Sequence, residues 1–225
     1  MSPPIQFFLA ATLFILIHIS VMAACARLFG ITVRSGVSYG VGPTLLVAGK
    51  VKVKLLPLAG SVALKDTREE ELYDDDPCLD AYNFQPLWKQ VLLPLSGVGV
   101  LLALSMGIMG AAGWDGFTSA FAQIIHGALA PMSTAQELLG NGAVFANTHG
   151  FASVFALFSL KLCALNLLPF AGLNGGQALL AIARGGKPYV AWEEPVAKWL
   201  LLPGLAVLLA WLTAFGWYGW QAMAA

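Results

Sequence analysis

Residues 4–29, PIQFFLAATLFILIHISVMAACARLF, carry no charge before Arg27 and are long enough at ~1.5 Å per residue to cross a ~30 Å hydrocarbon layer as one helix. A segment in lipid must satisfy its own backbone N–H and C=O groups, so runs of this kind restrict the chain to a bundle of helical spans. Composition agrees, with 58% apolar and 11% charged residues in 225. Met22-Ala23-Ala24-Cys25 loosely resembles a lipoprotein cleavage box, but no Lys or Arg precedes it and the apolar run is too long for a signal peptide. We read residues 4–29 as an uncleaved span.

Three more spans follow by length and hydropathy, at 87–112, 150–169 and 196–220, which makes an α-helical polytopic membrane protein of four spans in a single domain, 1–225. Seven of the twelve basic residues, Arg34, Lys50, Lys52, Lys54, Lys65, Arg68 and Lys89, lie between the first two spans or at the start of the second. The 113–149 loop has none. This asymmetry places 30–86 in the cytoplasm and both termini outside. Within the cytoplasmic segment, 31–65 alternates β-branched and polar residues between glycines, as a membrane-associated β-hairpin does, and 66–86 with its run DTREEELYDDD reads as an acidic linker. The outer loop holds FTSAFAQIIHGALA, expected as an interfacial helix carrying His126, and Trp211, Trp217, Tyr218 and Trp220 read as an aromatic belt.

Zero net charge and no basic block exclude nucleic acid as a partner. Cys25, Cys78 and Cys163 are odd in number and widely spaced, so neither a disulfide framework nor a thiolate metal site is expected. The lipid bilayer and other membrane proteins remain as partners.

Polar groups at membrane depth are costly and mark function by default. His18 sits midway along the first span and Lys161 midway along the third. The third span ends in NLLPFAGLNGGQALLAIARGG, where Pro169 breaks the helix and a re-entrant segment, 170–186, follows. Asn166 and Asn174 are expected to line one interior site with His18.

NLLPFAGLNGG, residues 166–176, resembles the NLLP-x-x-x-LDGG motif of the site-2 protease family, the intramembrane zinc metalloproteases. His18 stands at the first position of the family's HExxH. ARLFGITVRSGVSYGVGPTLL, LPLAGSVALKD and FQPLWKQVLLPLSGVGVLLA follow in the family's order, and the outer loop is too short for a PDZ insertion. The resemblance implies a zinc held by the two histidines of HExxH and the aspartate of LDGG, with the glutamate as general base. This chain departs at each of those positions. Ile19 replaces the base, Met22 the second histidine and Asn174 the aspartate, and the family's GPxxN reads Gly97-Val98-Gly99-Val100-Leu101. A catalytic zinc normally takes three protein ligands and a water, and a thioether suits it poorly. His18 is therefore expected to be only the remnant of a metal site, with no zinc, no other cofactor and no hydrolysis.

The reading that follows is a pseudoprotease acting as a subunit or adaptor for other membrane polypeptides, in the bacterial inner membrane where the family and the loop charges point. Lys161 is a candidate to fill the vacated metal position with its ammonium. A client is expected to add as a strand along the hairpin, around Gly40 and Gly42 in SGVSYGVGP and Leu58 and Gly60 in LPLAGSV. The rival reading is a divergent active protease that draws ligands from His126, His149 or Cys25. Cys25 lies about 10 Å along the helix from His18, too far to share one zinc. An ion pathway through His18 and Lys161 lacks a chain of titratable groups leading in.

Overall fold

The computed structural model describes residues 1–68 and 78–224. In order, the elements are α1 (Pro3–Leu28), β1 (Val33–Ala48), β2 (Val51–Leu64), two 3-10 turns (Cys78–Asp80 and Tyr82–Phe84), α2 (Leu87–Met109), α3 (Ala111–Leu129), α4 (Thr134–Thr148), α5 (Phe151–Asn166), α6 (Asn174–Ala183) and α7 (Glu193–Ala224). Most of the acidic run falls at 69–77, outside the described residues.

Among the described residues three helices, α1, α2 and α7, are long and apolar enough to cross a membrane, where the sequence led us to expect four. The helix in the expected third span, α5, is apolar but has 16 residues, or ~24 Å, because NLLP ends it early. It is the inner helix of the bundle. Phe155, Leu160, Cys163 and Ala164 on α5 are each at most 4% exposed and pack with Phe14 and Ile15 of α1 and Val98 and Leu101 of α2.

The 113–149 segment also differs from expectation, forming two helices rather than a loop with one interfacial helix. Packing rather than lipid holds α3: a Cβ on Gly127 would come within 2.4 Å of the Trp211 ring, and Trp211 donates its indole N–H to Ile124 O at 3.0 Å. Trp211 is thus a tie between α3 and α7, not part of a belt, while Trp217 and Trp220 are exposed. Along α7 the residues turned inward include Ala197, Leu200, Gly204, Val207, Trp211, Ala214 and Tyr218. Their 3-4-3-4 spacing gives one narrow seam and leaves the rest of the helix to lipid.

The hairpin forms where expected, with a feature that alternation does not reveal. Val37, Ser38 and Tyr39 pair with Val62, Ser61 and Gly60 on one side and with Val51, Lys52 and Val53 on the other, and Val37 N donates to Lys50 O at 2.8 Å. The antiparallel pair therefore doubles back on itself. Gly36 makes this possible: its φ is +112°, and a Cβ there would lie 1.9 Å from Lys50 O.

A polar network at the same end of the bundle joins four segments. Pro94 has no N–H, so Gln90 O lacks its helical donor, and the Tyr82 hydroxyl supplies one at 2.6 Å. Burial pushes the Tyr82 hydroxyl up to about 12, which keeps it a neutral donor. Arg68 grips Asp66 through two nitrogens at 2.9 and 2.5 Å and reaches Glu193 at 2.5 Å; Arg184 pairs with the same Glu193 oxygen and with Gln90 Oε1. The chain after β2, the start of α2, the end of α6 and the start of α7 are thereby fixed together. Residues 66–68 are accordingly structural and not a solvated linker.

Next to it, Lys65, 2% exposed, donates to Asp80 at 2.6 Å. That bond, with a second from Thr32, holds the Asp80 carboxyl below its ordinary value. A depressed carboxylate stabilises the fold above its unfolded-state value of ~3.9, and the contribution is lost as pH falls through the lower native value. Asp80→Asn is expected to cost about 2 kcal/mol at neutral pH and to flatten the acid limb of thermal stability in detergent. An unchanged acid limb would remove Asp80 as its source.

Candidate functional site

His18, 7% exposed, stacks on Phe14 at 5.6 Å between ring centres and faces α2 at its closest approach, where a Cβ on Gly97 would sit 2.5 Å from His18 Nδ1. One helical turn on, Met22 shares its face. Asn174, the first residue of α6, completes the group. Its amide nitrogen lies 2.6 Å from Pro94 O, 3.0 Å from His18 Nε2 and 3.9 Å from Met22 Sδ.

The carbonyl of Pro94 fixes the proton positions. A carbonyl oxygen only accepts, so the Asn174 NH2 must face it, and the second N–H of that amide points at His18 Nε2. Nε2 therefore accepts and the proton of the neutral imidazole is on Nδ1. Nδ1 faces the backbone of α2 at Gly97.

The loop before α6 delivers Asn174. After α5 ends, Phe170 N bonds Leu168 O and Leu173 N bonds Phe170 O, both at 2.8 Å, so the chain turns sharply enough for α6 to begin beside α2. Gly175 and Gly176 press on this turn: a Cβ on the first would be 2.3 Å from Leu167 O and on the second 2.0 Å from Phe170 O. Ile19, 3% exposed, is capped by the hairpin, since a Cβ on Gly60 would fall 2.6 Å from Ile19 Cγ1.

Residues 6–210 match Peptidase family M50. The chain belongs to this family, the site-2 proteases. Comparison with curated proteins gives no match. Peptidase family M50 is a metalloprotease family, so the residues must be tested against a zinc ion. They do not fit. His18 Nε2, the lone pair aimed at the centre, already accepts from Asn174; an amide and a thioether stand where charged or imidazole ligands belong; and no group of three or more His, Cys, Asp or Glu gathers anywhere among the described residues. Where a general base would stand, Ile19 offers only hydrocarbon.

Lys161 does not fill the metal position. Its amine donates to Gly116 O at 2.9 Å, Gln123 Oε1 at 2.7 Å and Ser119 Oγ at 3.4 Å, all on α3, because a helix on that side offers three neutral acceptors for three protons. It is a clasp between α3 and α5. Asn166 turns its amide back to Leu162 O, one turn earlier in its own helix. His126 lies on α3, and His149, which ends α4, stacks on Phe145 at 3.9 Å.

On the hairpin, Gly40 is closed in by the carbonyls of Leu56 and Lys54 and Gly60 by Ile19, whereas Gly42 has open space and Leu58 is exposed. Since 37–39 is paired on both sides, the stretch around Gly40 offers no edge for a further strand. One of the two outer strands runs along Thr44–Ala48, paired only with Val51–Lys54, and its Leu45, Leu46 and Val47 are each about 60% exposed. Pro94, whose own carbonyl receives the Asn174 amide, escaped the sequence reading.

Proposed function

We propose that this member of Peptidase family M50 is proteolytically silent and serves as an adaptor or subunit that binds other membrane polypeptides. The observation that carries the reading is the bond from Asn174 to His18 Nε2, held in place by Pro94 O: the lone pair a zinc would take is already used. The apolar Ile19 under Gly60 supports it, because water activation needs a base at that position. The basic residues between α1 and α2 support a cytoplasmic place for the hairpin.

Purified protein is expected to contain no zinc above that of a His18→Ala variant and to leave a synthetic single-span substrate uncut. Near-stoichiometric zinc that disappears in His18→Ala, or zinc-dependent cleavage, would establish a divergent protease instead.

Client capture is assigned to the open edge at Thr44–Ala48, where main-chain pairing needs no metal. Leu45→Asp combined with Val47→Asp should lower recovery of a co-purifying membrane polypeptide at least tenfold without loss of folded protein. Undiminished recovery would move the client elsewhere.

A further inference from the structure

An apolar surface groove of about 580 Å³ runs between α2 and α6, lined by Leu87, Trp88, Val91 and Leu92 on one side and Ile182 on the other. It begins at the first turn of α2, a helix long and apolar enough to span, so its upper end meets the headgroup layer and its lower end hydrocarbon.

Cations surround that upper end. Lys89, adjacent to Trp88, holds its amine 5.7 Å from the Trp88 ring and donates to Phe29 O and Gln85 Oε1, both neutral acceptors. Phe29 in turn packs edge-on against Trp88 at 5.3 Å, two residues after the exposed Arg27. On the far side Gly186 rests on Leu87, with a Cβ there only 3.0 Å from Leu87 Cβ, and the next residue, Lys187, is exposed. None of Arg27, Lys89 and Lys187 has a carboxylate partner among the described residues.

We propose that this groove binds an anionic phospholipid, one acyl chain lying along Val91, Leu92 and Ile182 and the phosphate between Lys89 and Lys187. Charge selects the occupant. A peptide helix would fill the apolar trough equally well but leave three cations without counterions, whereas a lipid with a net negative headgroup meets both parts of the site. Trp88, 53% exposed, marks the depth at which chain gives way to headgroup.

The test is native mass spectrometry of the full chain in mild detergent, titrated with dioleoyl phosphatidylglycerol or dioleoyl phosphatidylcholine. Phosphatidylglycerol is expected to be retained several-fold more strongly, and Lys187→Gln, a surface change, to weaken it about fivefold. Ile182→Trp, which fills the trough, should reduce retention of the same lipid with Lys187 intact. Equal retention of the two lipids, retention unaffected by Lys187→Gln, or equal binding of glycerol 3-phosphate without acyl chains would each overturn the proposal. A polypeptide displacing phosphatidylglycerol from the wild type but not from Ile182→Trp would assign the groove to a protein.

Discussion

Met22→His combined with Asn174→Asp is expected to raise bound zinc by about one per chain. The three positions already converge: Asn174 Nδ2 stands 3.0 Å from His18 Nε2 and 3.9 Å from Met22 Sδ, so the replaced side chains would direct two new ligands to the point that His18 faces. The pair of changes also removes the amide N–H that occupies His18 Nε2. Neither change suffices alone, since each leaves only two of the three protein ligands that a catalytic-type zinc site needs. Hydrolysis is not expected to return with the metal, because Ile19 still stands at the base position. Zinc measured after exhaustive dialysis, with His18→Ala added as the control, decides the matter. An absence of zinc in the double variant would show that the converging positions are too rigidly packed to accept a metal.

The second large effect is on folding. Gly176→Ala is expected to destabilise the protein by about 3 kcal/mol or more, and Gly175→Ala comparably. The atoms a new Cβ would meet, Phe170 O at 2.0 Å and Leu167 O at 2.3 Å, are backbone and have no rotamer to change. A clash there pushes the turn off α6 and carries Asn174 away from His18. Gly172→Ala provides the contrast, since its nearest neighbour is the Leu201 side chain at 3.5 Å, and it should change thermal stability little. Equal melting temperatures for Gly176→Ala and Gly172→Ala in detergent would disprove the close approach.

These two predictions rest on different kinds of legibility. The apolar run around His18, the glycine-rich hairpin and NLLPFAGLNGG were readable because each is a local pattern: hydropathy over a span, alternation between glycines, a proline followed by paired glycines. Even the meeting of His18 with Asn174 followed, by resemblance, from motifs 156 residues apart. Lys161 was misplaced for a physical reason. Sequence gives its depth but not its azimuth, and the acceptors on α3, Gly116, Ser119 and Gln123, sit in a segment whose moderate apolarity read as a surface helix.

The amino-acid sequence by itself determined that the chain is a helical membrane protein, that a β-hairpin follows the first span, and that its HExxH and LDGG positions hold Ile19, Met22 and Asn174. Those conclusions depend on composition, period and residue identity, which are properties of short stretches. Only the tertiary structure decided that α5 is the inner helix, that the hairpin doubles back and closes the 37–39 edge, that Lys161 bonds α3, and that Asn174 donates to Pro94 O and His18 together. Each of these depends on which face of one element meets which face of another, and residues far apart in the chain set that by packing and by the demand that buried polar groups be bonded.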